Sequence, residues 1–182
     1  MNRLVIKLLF TGILVTASAG IAQAQTTVTL PDTSQTTTFT ANVSEQARVT
    51  VPATITFAIT DVSASKAASA ASVTIDNIVL ATATKQLKLS IQASAANFTP
   101  PIVGATTWAA ADITWNAATW TNATGSSGTL SSAAYTAVTT CTANAATCST
   151  TGLIFTIAAK PTVTRSGNHT LTATWKVESI GS

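Results

Sequence analysis

The chain has 182 residues, of which 8% are charged: nine are Lys or Arg and six are Asp or Glu. Arg3 and Lys7 lie in a segment that we expect to be removed, which leaves seven basic and six acidic residues and a net charge of +1. A charge this small gives no basic surface for nucleic acid or an anionic membrane, so neither is expected as a partner. The low charge, combined with many Ala, Thr and Ser residues, is typical of an extracellular surface wetted by hydroxyl groups.

The N-terminus has the pattern of a secretory signal peptide. The two basic residues precede an uncharged stretch from Leu8 to Ala19, and Ala22 and Ala24 place small residues where signal peptidase reads them. The stretch is short for a transmembrane helix, which needs about 20 apolar residues. We therefore expect cleavage of residues 1–24 and a mature protein in the periplasm, at the cell surface or secreted, and not integral to a membrane.

From residue 25 onward the apolar residues recur with a period of two, which is the period of a β-strand. Ile55, Phe57 and Ile59 alternate with small or hydroxyl-bearing residues, and the run from His169 to Ser179 is the longest clean alternation. In chain order, strands are predicted at Thr26–Leu30, Thr36–Val43, Ala47–Val51, Thr54–Thr60, Ser72–Leu80, Leu87–Gln92, Asp112–Trp115, Tyr135–Cys141, Leu153–Ala158 and Leu171–Glu178.

Turn-forming sequences such as Val51-Pro52 and Ser166-Gly167-Asn168 separate many of these strands. The Ala-rich segment Ser63–Ser72 lacks a large apolar stripe and is interpreted as a loop. Short strands separated by turns, without a convincing amphipathic helix, predict an all-β fold: a single-domain, antiparallel, immunoglobulin-like β-sandwich. We assign residues 25–43 to an extended Thr-rich arm or first strands, and residues 44–182 to the sandwich.

Cys141 and Cys148 are the only two cysteines, and a loop of small residues separates them. An even number of cysteines in an exported chain predicts a disulfide. A metal site is a poor alternative, because the chain has no further Cys and only one His to complete a ligand shell. We expect the disulfide to act as a local staple across a hairpin or loop.

The sequence contains few candidate catalytic residues. His169 is the only histidine, it follows a turn, and the chain has no Gly-x-Ser-x-Gly elbow. The six carboxylates are scattered singly, which argues against the paired carboxylates of a glycosidase and against a clustered calcium site. We expect no enzymatic activity, no metal and no cofactor.

Three of the four tryptophans, Trp108, Trp115 and Trp120, fall close together in a region rich in Thr, Asn and Ala. One hypothesis is a carbohydrate-binding or adhesive surface, in which exposed indoles stack on sugar rings and Asn116 or Asp112 bonds the sugar hydroxyls. The alternative is that the indoles fill the core of a chain that is poor in Phe and Tyr. The sequence leaves both open.

A signal peptide, a Thr/Ala/Ser-rich domain of low charge and a strong final alternating strand together resemble secreted bacterial coat and fimbrial subunits. The resemblance implies a structural protein of the cell surface, whose partners are copies of itself or other surface components. The N-terminal arm would then complete a neighbour's sheet by strand addition. The side chains entering the neighbour would be Val28 and Leu30, or Phe39, Ala41 and Val43.

Overall fold

The computed structural model describes residues 27–31 and 35–181. The chain divides into two compact units, Met1–Ala41 and Asn42–Ser182. The described residues before Gln46, which are 27–31 and 35–45, form neither helix nor strand. The strand predicted at Thr36–Val43 is therefore not found, nor is the described part, 27–30, of the strand predicted at Thr26–Leu30. The predicted signal peptide lies outside the described residues.

The second unit is all-β, with one short 3-10 helix at Ala110–Asp112. Its strands, within the described residues, are β1 (Gln46–Thr50), β2 (Lys66–Ala67), β3 (Ala71–Val79), β4 (Gln86–Ala93), β5 (Ile113–Trp115), β6 (Ala123–Gly125), β7 (Gly128–Thr129), β8 (Thr136–Cys141), β9 (Cys148–Leu153), β10 (Phe155–Ile157) and β11 (Ala173–Ile180).

The strands form three sheets, and every pairing between strands is antiparallel. The first sheet has the order β1-β3-β9, the second β2-β10-β5-β7 and the third β11-β4-β8-β6. The first sheet runs almost directly into the second, because β9 ends at Leu153 and β10 begins at Phe155. This arrangement is consistent with a β-sandwich.

One core joins the three sheets. Its buried apolar residues come from alternating positions, as the period-two pattern predicts: Val73 and Ile75 in β3, and Leu87, Leu89 and Ile91 in β4. Burying a side chain of this size stabilises the fold by about 1.5–3 kcal/mol. The indoles of the tryptophan cluster belong to the same core.

Seven of the ten predicted strands have a counterpart, although Leu153–Ala158 is reduced to β10. The run Thr54–Thr60 has no strand assignment. The segment Ser63–Ser72, interpreted as a loop, contains β2 and the start of β3. The short strands β6 and β7 and the small-residue strand β9 were not predicted, because they lack an alternation of large apolar residues.

The disulfide between Cys141 and Cys148 is present. Cys141 ends β8 in the third sheet and Cys148 begins β9 in the first sheet, so the bond ties two different sheets together. Both residues are buried. The disulfide is thus an inter-sheet link as well as the staple of a short loop.

Candidate functional site

The three indoles proposed as a ligand platform are buried. Trp108, Trp115 and Trp120 are 4%, 3% and 8% exposed. The Trp108 Nε1–H donates to the Ala158 carbonyl and the Trp115 Nε1–H to the Ser126 carbonyl, each at 2.9 Å. A buried ring face cannot stack on a sugar, so the exposure that the carbohydrate hypothesis required is not found, and the packing alternative describes these residues.

The two polar residues of the same hypothesis, Asp112 and Asn116, bond other residues of the domain. Asp112 forms an ion pair with Lys160 at 2.7 Å and accepts the Ala109 backbone N–H at 2.7 Å. Asn116 donates to the Gly152 carbonyl at 3.0 Å and accepts the Ile154 N–H at 2.7 Å. Both side chains therefore bridge the chain to itself.

His169 is held by two hydrogen bonds. A carbonyl oxygen only accepts, so the contact of Nε2 with the Arg165 carbonyl at 3.1 Å places the ring hydrogen on Nε2. Nδ1 then accepts the Thr107 hydroxyl at 2.7 Å. The ring also packs edge-on against Trp108, with centroids 5.2 Å apart. These contacts fix the loop before β11.

Two further features were searched for in the described residues. In residues 27–31 and 35–181, no three His, Cys, Asp or Glu side chains gather as metal ligands would. Within those same ranges, no helix has the length and apolar character needed to cross a bilayer.

One side of the sandwich is closed, namely the side formed by β9 with β8 and β6. The disulfide joins β8 to β9 there, and the isolated bridge between Thr121 and Ser149 joins the chain just before β6 to β9. The Thr150 hydroxyl adds a 2.7 Å hydrogen bond to the Thr119 carbonyl. These links hold the first and third sheets together along this side.

The opposite side is bounded by β11, the terminal strand of the third sheet. β11 has eight residues and pairs with β4 over its whole length. Ala173, Trp175 and Val177 pack on the core, but they are only partly buried, whereas Leu89 on the neighbouring strand is completely buried. The core is therefore less well covered at β11 than at β4.

The same side is bounded on the other sheet by residues 51–60, which follow β1. Ile55, Phe57 and Ile59 pack on the core and are half-buried, as the alternation predicts. No ladder or bridge among the described residues pairs this segment with a strand. Pro52 accounts for part of this, because proline has no N–H to donate and β1 stops just before it.

β1 and β11 are edge strands of different sheets, and their ends lie side by side. The Glu45 carboxylate, just before β1, accepts the Lys85 ammonium at 2.9 Å and the Ala81 N–H at 2.7 Å. These hydrogen bonds, that of Lys85 foremost, lower the pKa of Glu45. Lys85 directly precedes Gln86, which pairs with Ile180 at the end of β11. We call the side of the sandwich bounded by β11 and residues 51–60 the open side.

The outward face of β11 is polar and charged. Glu178 lies 2.5 Å from the ammonium groups of both Lys88 and Lys176. Its pKa is lowered by these hydrogen bonds, that of Lys176 first. The Lys176 ammonium also lies 5.5 Å from the centre of the Tyr135 ring. β11 thus has one wetted face and one apolar face, and its outer backbone edge pairs with no other strand among the described residues.

An exposed sheet edge next to a half-buried apolar row is a site for pairing with another chain. The sequence marked the final strand as the longest clean alternation but did not identify residues 51–60 as the other boundary. The sequence does not reveal that Ile55 and Phe57 are only half-buried, because alternation shows which residues face the core and not how well they are covered. Comparisons with protein-family models, with curated proteins and with solved structures gave no match.

Proposed function

We propose that the mature chain is a non-catalytic structural protein of the periplasm or cell surface, or is secreted. Its domain is an immunoglobulin-like sandwich, and copies polymerise by strand addition. The arm of one copy enters the open side of the next and pairs with β11. The observation that carries the proposal is the open side: an edge strand of eight residues whose apolar row is only partly buried.

The arm has the chemistry of an added strand. Residues 36–43 carry no charge, and Phe39, Ala41 and Val43 share one face while Thr residues occupy much of the other. At about 3.3 Å per residue, eight residues span about 26 Å, the length of an eight-residue edge strand. Phe39 is 92% exposed, so it has an apolar side chain to bury. Val28 and Leu30 form a second, shorter apolar pair further up the arm.

Strand addition supplies what the open side lacks. Backbone hydrogen bonds to β11 satisfy its outer edge, and apolar side chains of the arm cover the row formed by Trp175 and Val177. Burying the Phe39 side chain contributes about 1.5–3 kcal/mol to this association. A hydroxyl-rich exterior then remains as the surface of the polymer.

The test compares two substitutions in the mature, full-length chain. Phe39→Asp places a charge on the face that enters the neighbour, whereas Thr38→Asp places the same charge on the opposite face, which stays in solvent. Negative-stain electron microscopy and sedimentation of the secreted protein, without refolding, should show polymers for the wild type and for Thr38→Asp but monomers for Phe39→Asp. Monomeric wild-type protein, or polymers that tolerate Phe39→Asp, would contradict the proposal.

A further inference from the structure

The two ends of the sandwich carry different apolar features. In the register of β11 with β4, Ala173 pairs with Ala93 at one end and Ile180 with Gln86 at the other. We call the first the tip end and the second the cleft end. The β3–β4 turn and the disulfide loop lie at the cleft end, because β3 leads into β4 there and Cys141 ends β8.

The tip end projects an apolar loop. Thr99 and Thr170 bond each other's backbones at 2.7 and 3.0 Å, three residues before β11 begins, so the chain continues past the sheet. Beyond this bridge, residues 100–105 turn back, with Gly104 in the left-handed region at a φ of 80°. At the apex, Ile102 is 57% and Val103 99% exposed. We call residues 100–105 the tip loop.

The cleft end has a cavity of about 260 Å³ between the end of β3 with its turn and the disulfide loop. Polar atoms, those of the backbone included, make up the larger share of its exposed surface, although six of the residues that line it have apolar side chains: Ile78, Leu80, Ala81, Ala83, Ala145 and Ala146. Both walls are fixed in place. The Glu45–Lys85 ion pair and the bond from Ala81 N–H brace the turn, and the disulfide closes the loop.

We propose that the tip loop of one copy docks in this cleft of the next copy, a head-to-tail contact that rests on the proposed strand addition and sets its direction. The arm joins the domain at the cleft end, where Gln46 pairs with Val79. When the arm extends away from its own domain, as strand addition requires, the copy that receives it lies beyond the cleft end of the donor. The tip–cleft contact is continuous with the interface that the arm makes.

Strand direction favours the same arrangement. β11 runs from the tip end to the cleft end. When a receiving copy turns its tip end toward the donor's cleft, the arm enters beside Ala173 with Val43 nearest the donor, and so runs antiparallel to β11. Every strand pairing in this domain is antiparallel, and antiparallel pairs are slightly more stable. Joining two cleft ends would instead require parallel pairing and would leave both tip loops in water.

A contact between two different surfaces of the same protein does not close on itself. If the rotation that relates successive copies does not close into a ring, such contacts build an open filament. The tip loop and the cleft are such a pair of surfaces, at opposite ends of one domain. The contact thus gives the polymer a polarity that strand addition alone does not specify.

The test is a charge exchange in the full-length mature chain. Val103→Asp puts a carboxylate on the tip loop, and Ala83→Lys puts an ammonium in the cleft lining. Each alone should raise the critical concentration for polymer formation about ten-fold or more, since each buries an unpaired charge in place of an apolar contact. Together they should restore it to within about three-fold of wild type. Because the two positions lie at opposite ends of one domain, rescue reports a contact between copies. Thr164→Asp, an exposed position outside both features, is the control and should change nothing.

The outcomes separate this contact from strand addition. Polymers that require Phe39 but are unchanged by Val103→Asp, or a double variant that is not rescued, would overturn the tip–cleft contact and leave strand addition standing. If the wild type does not polymerise, strand addition fails. Sedimentation of the Phe39→Asp chain at high concentration then tests the tip–cleft contact by itself. Weak association that Val103→Asp abolishes supports the contact, and a chain that shows no association overturns the contact.

Discussion

Two glycines test whether the tryptophans are a packed core. Gly125 ends β6 and Gly128 begins β7, where it pairs with Trp115. A methyl group at Gly128 would overlap the Trp115 indole, and one at Gly125 would overlap both the Ala118 carbonyl and the Trp120 indole. Both indoles are buried, so they have little room to move aside.

The expected cost of Gly128→Ala or Gly125→Ala is that of overpacking a core, about 1–3 kcal/mol of unfolding free energy. Gly152→Ala is the matched control, because its nearest atom, the Thr150 hydroxyl oxygen, would lie 3.8 Å from the new methyl group. That substitution should be neutral or stabilise by about 0.4–1 kcal/mol through the unfolded chain. Urea unfolding followed by tryptophan fluorescence measures all three differences.

The result that would refute this reasoning is equal stability. If Gly128→Ala and Gly152→Ala unfold within about 0.5 kcal/mol of each other, the Trp115 ring does not pack against this hairpin as described. An indole that moves aside so easily would again be a candidate for an exposed ligand surface. A large cost at both Gly125 and Gly128 supports the packed core.

Two further predictions concern stability. Replacing Cys141 and Cys148 by Ala should lower the unfolding free energy by about 2.5 kcal/mol from the loss of the short ring alone, measured by urea unfolding; an unchanged midpoint would show that the link between sheets contributes nothing. Burial works to raise the pKa of Asp112, but the hydrogen bonds from Lys160 and the Ala109 N–H outweigh it, and the pKa lies below its ordinary value. The stability from Asp112 is therefore present above the unfolded pKa of about 3.9 and is lost as the pH falls through the lower folded value, so Asp112→Asn should flatten the acid limb of a pH–stability curve. An acid limb identical to that of the wild type would contradict it.

The sequence predicted the strands whose apolar residues alternate and that pair within a sheet. β4 and β11 were predicted in this way. Leu87, Leu89 and Ile91 share one face of β4, and Trp175 and Val177 share one face of β11, whichever strands pair with them. The disulfide followed from two cysteines in an exported chain. Fold class, but not topology, was therefore accessible.

The features that the sequence did not predict depend on contacts between residues that are distant in sequence. The run at Ile55–Ile59 has the same alternation as β4, yet it joins no ladder, since pairing also requires a partner edge and Pro52 interrupts its continuation from β1. The Trp108 and Trp115 indoles found carbonyl partners at Ala158 and Ser126, which no local pattern reveals. The open side is a property of strand order, so it emerged only once β1 and β11 were both seen to be terminal in their sheets.

The most direct measurement of the central proposal is amide hydrogen exchange, read by mass spectrometry, on polymers and on the Phe39→Asp monomer. Strand addition predicts that peptides covering residues 36–43 and β11 both become strongly protected in the polymer, while the already paired β4 changes little. In the Phe39→Asp monomer, the arm should exchange at the rate of an unstructured chain. Polymers in which neither the arm nor β11 gains protection would contradict strand addition as the mode of assembly.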